Sequence, residues 1–293
     1  MARETKRDGK SVSKVIFLQD LFAHQHLGGG ELHDAVVIDH LKSKDLLYET
    51  KNTYDVTPEY ILNNTDKYWF ISNFVALKNV CKALISKECR YLIYEHDYKF
   101  LRNRNPIDYP NFQAPNEAHK YNFTFYQNAE VVMCLSKMHR EIFENNLVLD
   151  NLDNIHCSMW SDSDLELMSN LNKNQKLNKF AVINSSNLIK KTAETVAYCQ
   201  DAGIPFDLIS APDHQEFLTL LSRYMGLVFR TGHPEPTPRV AVEAKMLNCK
   251  FLSQKTLIGV AHEDWFHLNG DELIEEVRSM RDLALDKLER IMT

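Results

Sequence analysis

The chain has 293 residues, of which 44% are hydrophobic and 25% charged, an ordinary globular composition with enough apolar material for two cores. Its formal net charge of −6 argues against a broad nucleic-acid-binding surface but leaves room for a local basic groove. No apolar run approaches the roughly 18 residues of a membrane-crossing helix, and the basic start MARETKRDGKSVSK leads into no apolar targeting segment, so a cytoplasmic protein is expected.

Short apolar strands then alternate with amphipathic stretches. Val15–Leu18 reads as a strand, followed by a glycine cluster and a helical stretch from about Glu31 to Leu41. Leu46–Glu49, Tyr68–Ile71, Tyr91–Tyr94 and Val131–Leu135 are further predicted strands, with helical stretches around Val75–Ser86 and Lys137–Asn145. The polar run Asn170–Lys179 reads as a loop, after which the alternation restarts. Phe180–Asn184, Phe206–Ser210, Leu227–Arg230 and Lys250–Ser253 read as strands. Lys191–Ala202, Asp213–Tyr224 (with Asp213 as N-cap) and Arg239–Leu247 read as helices, and Asp271–Ile291 as a long closing helix. Apolar strands separated by helices imply parallel sheets covered on both faces. The expected fold is α/β, with two Rossmann-like units, 1–157 and 158–293, around a shared cleft. Ligands bind such sheets at the loops that follow the strands. The six cysteines are far apart, lack metal-ligand spacing, and read as reduced thiols.

Two stretches carry most of the chemistry. Gly28-Gly29-Gly30-Glu31 holds three of the chain's nine glycines at the start of a predicted helix, where free backbone N–H groups favour an anion. The alternative is a flexible loop tip. Residues 233–243 read HPEPTPRVAVE, with three prolines in five positions stiffening the loop before a helix. Glu235 falls in that loop and Glu243 on the helix. Carboxylates there suit the hydroxyls of a sugar ring and a ribose. The bland alternative is a solvated loop glutamate and an ordinary helical one.

Glu235 and Glu243, with the helix running on as Val-Glu-Ala-Lys-Met-Leu-Asn-Cys, resemble the Glu-x7-Glu donor motif of retaining glycosyltransferases of family four. The family usually shows Glu-Gly-Phe-Gly where this chain has Glu235-Pro-Thr-Pro. Other segments follow the family's order. Gly28–Glu31 resembles its first glycine-rich loop, with Gly29 and Gly30 at the diphosphate. Glu95-His96-Asp97 resembles the His-Asp segment beside the acceptor. Residues 128–136 resemble its last N-domain strand, ending in a serine, and Ser158–Asp162 the linker. Asn184–Thr192 resembles the Gly-Arg-x4-Lys-Gly loop whose Arg and Lys bind the diphosphate. Lys190 and Lys191 are candidates for the lysine, with Lys191 in the better register. Ser186 stands where the arginine belongs, and Arg230 is the candidate to replace it.

The resemblance implies a GT-B glycosyltransferase that takes a sugar from a nucleotide diphosphate with retention. It assigns catalytic contacts to His96 and Glu235, and donor contacts to Gly29, Gly30, Lys190, Lys191, Arg230 and Glu243. Cations and backbone N–H groups can stabilise a leaving diphosphate without a metal. Asp162-Ser-Asp164 matches an Asp-x-Asp metal pattern only formally and reads as a helix-capping turn, so no metal or other cofactor is expected. His24, His26, His33 and His40 lack helix-face metal spacing and are expected to be mostly solvated.

Residues 98–113 (YKFLRNRNPIDYPNFQ) follow His96-Asp97 and mix cations with aromatics. Asp97, Lys99, Arg102 and Arg104 are therefore acceptor-side candidates. The mixture suits a phosphate backbone with an exposed base, an anionic glycan or lipid, or simply a loop packing its aromatics inward. A glycan or other soluble hydroxyl acceptor is the first expectation. The alternatives are a viral-type enzyme acting on hydroxymethylated DNA bases and an inactive nucleotide-sugar-binding module of the same fold. No G-x-G-x-x-G follows a strand, which sets a dehydrogenase aside.

Overall fold

The structure, a computed structural model, describes residues 14–293; all but the last residue of the basic start lie outside it. Among the described residues, ten strands form two parallel sheets. The first contains β1 (Val15–Gln19), β2 (Leu47–Asn52), β3 (Tyr68–Ile71), β4 (Arg90–Tyr94), β5 (Val131–Cys134) and β6 (Leu152–Asn154), in spatial order β2-β1-β3-β4-β5-β6. The second contains β7 (Leu177–Ile183), β8 (Phe206–Ile209), β9 (Tyr224–Phe229) and β10 (Lys250–Ser253), in order β10-β9-β7-β8. Ten helices cover them: α1 (Gly29–Ser43), α2 (Pro58–Leu62), α3 (Asn79–Glu88), α4 (Phe123–Gln127), α5 (Lys137–Glu144), α6 (Asp162–Leu171), α7 (Thr192–Asp201), α8 (His214–Leu221), α9 (Arg239–Met246) and α10 (Gly270–Met292).

The central strands are apolar throughout because both faces are covered. Every residue of β1 and β3 is buried, and Val15–Leu18 lie in register with Tyr68–Ile71. One face of the first sheet packs Trp69, Tyr91, Phe125 and Phe143; the other packs Phe17, Phe70 and Tyr94 against Val37, Ile38 and Leu41 of α1. The second unit gathers Leu227, Phe229 and Val242 with Trp160, Trp265 and Leu273.

Differences from the sequence reading fall at edges. The edge strand β2 starts one residue later than expected and runs through polar residues to Asn52. The polar three-residue edge strand β6 carries no sequence signal. Helix α6 starts at Asp162, the last residue of the expected linker, and runs into the start of the expected polar loop, whose end, Leu177–Lys179, belongs to β7. Ser161 caps it by accepting from the backbone N–H of Asp164 at 3.1 Å, so Asp162-Ser-Asp164 is a capping turn. Asp213 caps α8 in the same way, accepting from Glu216 N–H at 2.8 Å. Helix α8 ends at Leu221, so β9 starts at Tyr224, earlier than expected, and within it Gly226 passes tightly between its neighbours: a Cβ there would lie 2.4 Å from the Phe180 ring.

Helix α10 joins the two units. Its first half, through Leu273, Ile274 and Val277, packs in the second core. Its last turns put Ala284, Leu285, Leu288 and Met292 into the first core, beside Phe17 and Leu41. Lys287 pairs with Asp153 at 2.6 Å, and Arg281 donates to the carbonyl of Trp160 at 3.0 Å. All six cysteines are free thiols, five of them buried. No helix among the described residues is long and apolar enough to cross a membrane.

Leu288 is 1% exposed and links α10 to the first sheet. Leu288→Ala should therefore cost about 2–5 kcal/mol of stability, the usual range for emptying such a site. A urea titration checks this, and an unshifted midpoint would contradict the docking of the helix end.

Candidate functional site

A cleft of about 490 Å³ opens between the two sheets, where the loops after their strands meet. On the first unit it is lined by Gly28, Gly29, Gly30 and His96; on the second by Lys190, His214, Glu235, Arg239 and Glu243.

Gly28 precedes α1 and offers no side-chain cap. The first intrahelical bond of this turn runs from Leu32 N–H to the Gly28 carbonyl at 3.0 Å. The N–H groups of Gly29, Gly30 and Glu31 therefore lack helical partners, and Gly29 and Gly30 line the cleft. Gly30 faces His96, whose ring would lie 3.6 Å from an added Cβ, and Gly29 faces the Arg239 side chain at 3.5 Å. His96 follows β4. Its Nε2 bonds Asp34 Oδ1 at 2.8 Å, and Asp34 in turn accepts from the Ser72 hydroxyl. Burial opposes protonation of His96, but the Asp34 carboxylate outweighs it and lifts the pKa above the ordinary histidine value.

On the opposite wall the proline loop holds Glu235 by its backbone. Glu235 N–H donates to the Leu257 carbonyl at 2.9 Å, and its carbonyl accepts from Gly259 N–H at 2.8 Å. Only glycine fits at position 259, because a Cβ would lie 2.1 Å from the carbonyl oxygen of Pro236. Lys190 Nζ lies 3.0 and 3.3 Å from the two Glu235 carboxylate oxygens, and the Thr231 hydroxyl donates to Oε1 at 3.2 Å.

Glu243 is 3% exposed. Its Oε1 accepts from Trp160 Nε1 at 2.9 Å, bonds His214 Nε2 at 2.9 Å, and lies 3.4 Å from Arg239 Nε. Oε2 has no hydrogen-bond partner among the described residues. Burial works to raise the Glu243 pKa, but His214, Arg239 and Trp160 together bring it down to about 2. His214 is raised in return: burial opposes its charge, and the Glu243 carboxylate overcomes that. Arg239 stacks on the Trp160 ring at 4.5 Å and donates to the carbonyl of Met159.

The cleft therefore brings together Gly29, Gly30, His96, Lys190, Glu235 and Glu243. Other candidates fall elsewhere. Lys191, in the better register by sequence, lies off the cleft lining, adopts φ +49° before α7 and pairs with Glu194 at 2.8 Å, while its neighbour Lys190 lines the cleft. Arg230 sits over the Tyr198 ring at 4.9 Å, outside the lining. The arginine in the cleft is Arg239, in the first turn of α9, which the sequence motifs do not single out. The acceptor-side set is also corrected. Lys99 is 3% exposed and pairs with Glu95 and with Asp97, the latter at 3.1 Å. Asp97 is held by Lys99 and by Arg104 at 3.0 Å. Tyr98 and Phe100 are fully buried in the first core, so the segment packs its aromatics inward and leaves Arg102 as its unpaired exposed cation among the described residues.

Two early histidines are likewise not solvated. His33 is buried, bonded to Ser158 Oγ at 2.9 Å and Tyr94 Oη at 2.7 Å, and burial holds its pKa well below the ordinary value. His40 is half-buried against Glu289. Both lie on α1, whose inner face the sequence pattern places only from its aliphatic residues. Among the described residues, no group of three or more His, Cys, Asp or Glu side chains is placed to hold a metal ion.

No protein-family model and no curated protein sequence matches the chain. Solved structures do. A sucrose-phosphate synthase from Thermosynechococcus elongatus superposes with a TM-score of 0.55 at 10% identity, over 94% of this chain and 98% of that one. HepE of Anabaena, in complex with UDP and glucose, superposes with a TM-score of 0.51 at 13% identity, over 96% of this chain and 92% of that one. An alpha-glucosyltransferase in complex with UDP-glucose and abasic DNA gives 0.51 at 10% identity, over 96% and 93%. With two parallel sheets around a cleft, these likenesses establish the GT-B fold.

Because Glu243 is anchored by charge, Glu243→Gln should lower stability at pH 7 by about 1–3 kcal/mol. Its folded pKa lies below the unfolded value, so the charge contributes fully above about 4.5 and is lost as pH falls towards about 2. The gap between mutant and wild type in chemical denaturation should narrow over that window. A gap independent of pH would mean the carboxylate does not carry the effect.

Proposed function

We propose that this chain is a retaining GT-B glycosyltransferase that moves a sugar from a nucleoside diphosphate to a hydroxyl acceptor. The reading assigns residues 158–293 to the donor and residues 1–157 to the acceptor. The observation that carries it is the convergence of Lys190, Glu235 and Glu243 on one wall of the cleft, opposite the open N-terminal turn of α1.

In this reading the diphosphate lies between Lys190 and the N–H groups of Gly29 and Gly30, with Arg239 behind them. These groups stabilise the negative charge that grows on the leaving oxygen. Glu243 Oε2 accepts from a ribose hydroxyl, Glu235 accepts from a hydroxyl of the transferred sugar, and His96, fixed by Asp34, contacts the sugar or the acceptor hydroxyl. UDP and UDP-glucose are the first ligands to test, since structures of this fold similar to the chain hold them. The acceptor is proposed to be a glycan or other soluble hydroxyl compound. A DNA acceptor loses its main support with Lys99 and the buried aromatics.

Lys190→Ala should weaken UDP binding at least about tenfold, the scale of one charge-assisted contact. Lys191→Ala and Arg230→Ala should leave it within about twofold. Calorimetric titration reads all three, and unchanged affinity in Lys190→Ala would refute the donor placement. With UDP-α-glucose as donor, proton NMR of the product should show an α-linkage; a β-linkage would overturn retention.

Chelation tests the neutralisation scheme separately. Lys190, Arg239 and the α1 amides are proposed to suffice for the diphosphate, so activity should survive EDTA. Full loss restored by magnesium or manganese would show that a metal carries that charge.

A further inference from the structure

We infer that Glu235 is a specificity element that separates the sugar-charged donor from the spent nucleoside diphosphate, by competing with the diphosphate for Lys190. The inference rests on the donor-cleft reading above.

The Glu235 side chain is 12% exposed and Lys190 Nζ contacts both its carboxylate oxygens. The two partners are not equally free to move. Glu235 is fixed by backbone bonds to Leu257 and Gly259 and lies between two prolines. Lys190 ends a short turn, Leu188–Lys190, whose first residue is 88% exposed, and its own side chain is 30% exposed. The lysine is therefore the partner that leaves.

A diphosphate that draws Lys190 away strands a mostly buried carboxylate, and removing one partner of such a pair is costly. Among the described residues only the Thr231 hydroxyl remains to donate to it, and that hydroxyl also lies 3.0 Å from the His233 carbonyl. A donor that still carries its sugar brings hydroxyl donors to the vacated oxygens and offsets that cost. The bare diphosphate brings none. Once the sugar has passed to the acceptor, Glu235 recaptures Lys190 and the diphosphate loses its cation. The pair thus lowers affinity for the product more than for the substrate, which is discrimination by an unfavourable term built against the wrong ligand.

Glu235→Gln tests this, since it keeps the side chain's size and removes its hold on Lys190. Calorimetric titration with UDP and UDP-glucose, or with the GDP or ADP pair if those bind instead, should show the bare nucleotide binding about tenfold tighter than in wild type. The sugar nucleotide should bind no tighter, so the ratio of the two Kd values shifts by about tenfold. In the Lys190→Ala background the same substitution should give no gain for the bare nucleotide. If Glu235→Gln does not fold, Glu235→Ala is expected to shift UDP affinity in the same direction. Unchanged or weaker UDP binding in the folded variant, with wild-type binding intact, overturns this inference alone. A wild type that binds none of these nucleotides overturns the donor-cleft reading, and this inference with it.

Discussion

The linker between the two sheets must cross a buried region without regular secondary structure, and its polar groups must still be satisfied. Residues 158–160 meet that demand with side chains from three helices. Met159 N–H and the Ser158 hydroxyl both meet His33 Nδ1 from α1. The Met159 carbonyl accepts from Arg239 at the start of α9, and the Trp160 carbonyl accepts from Arg281 of α10. Trp160 Nε1 donates to Glu243 of α9, which His214 at the head of α8 also holds. The two units are thus tied to one short stretch of chain, and the cleft is lined by groups that the same ties position.

This arrangement explains why the cleft's charges are stable when buried. A carboxylate as enclosed as Glu243 is tolerated when its hydrogen bonds are provided. Trp160 and His214 provide them on a single oxygen, Oε1, beside which the Arg239 guanidinium adds an ion pair at 3.4 Å, and the second oxygen is left without a partner among the described residues. Asp34 plays a similar part opposite: it is 1% exposed, takes His96 on one oxygen and Ser72 on the other, and fixes the imidazole against Gly30. Both walls therefore present side chains whose orientation is set from behind.

The sequence revealed the architecture because parallel strands buried on both faces, such as Tyr68–Ile71 and Tyr91–Tyr94, read as unbroken apolar runs. It hid β6, whose residues Leu-Asp-Asn sit on an edge and need no apolar pattern. The spacing of Glu235 and Glu243 located the second wall, and the glycine cluster located the first. Spacing could not tell Lys190 from Lys191, since that depends on their partners in the fold, Glu235 for the one and Glu194 for the other. Nor could it find Asp34 or Arg239, because each matters through a partner distant in sequence: Asp34 through His96, and Arg239 through Met159. The mixed segment 98–113 misled for a related reason. Alternating cations and aromatics describe a ligand surface and an inward-packed loop equally well, and only the buried partner Glu95 distinguishes them.

The prolines around Glu235 shift the site's mobility from one element to another. A glycine-rich loop would let the carboxylate follow the ligand. Here Pro234, Pro236 and Pro238 restrict the backbone, and Gly259 lets the loop rest directly on its neighbour, so Glu235 is bound at both N–H and carbonyl. Adaptation then falls to the turn that carries Lys190, between the exposed Leu188 and the left-handed Lys191. That turn is joined to the loop below by the bond from Gly232 N–H to the Ile189 carbonyl at 2.8 Å, and Gly232 in turn accepts from Asn105 of the first unit at 3.4 Å. The turn that carries Lys190 is therefore connected, through Ile189 and Gly232, to a contact between the two units at Asn105. In this chain the positive charge is the adjustable part and the negative charge is the fixed reference.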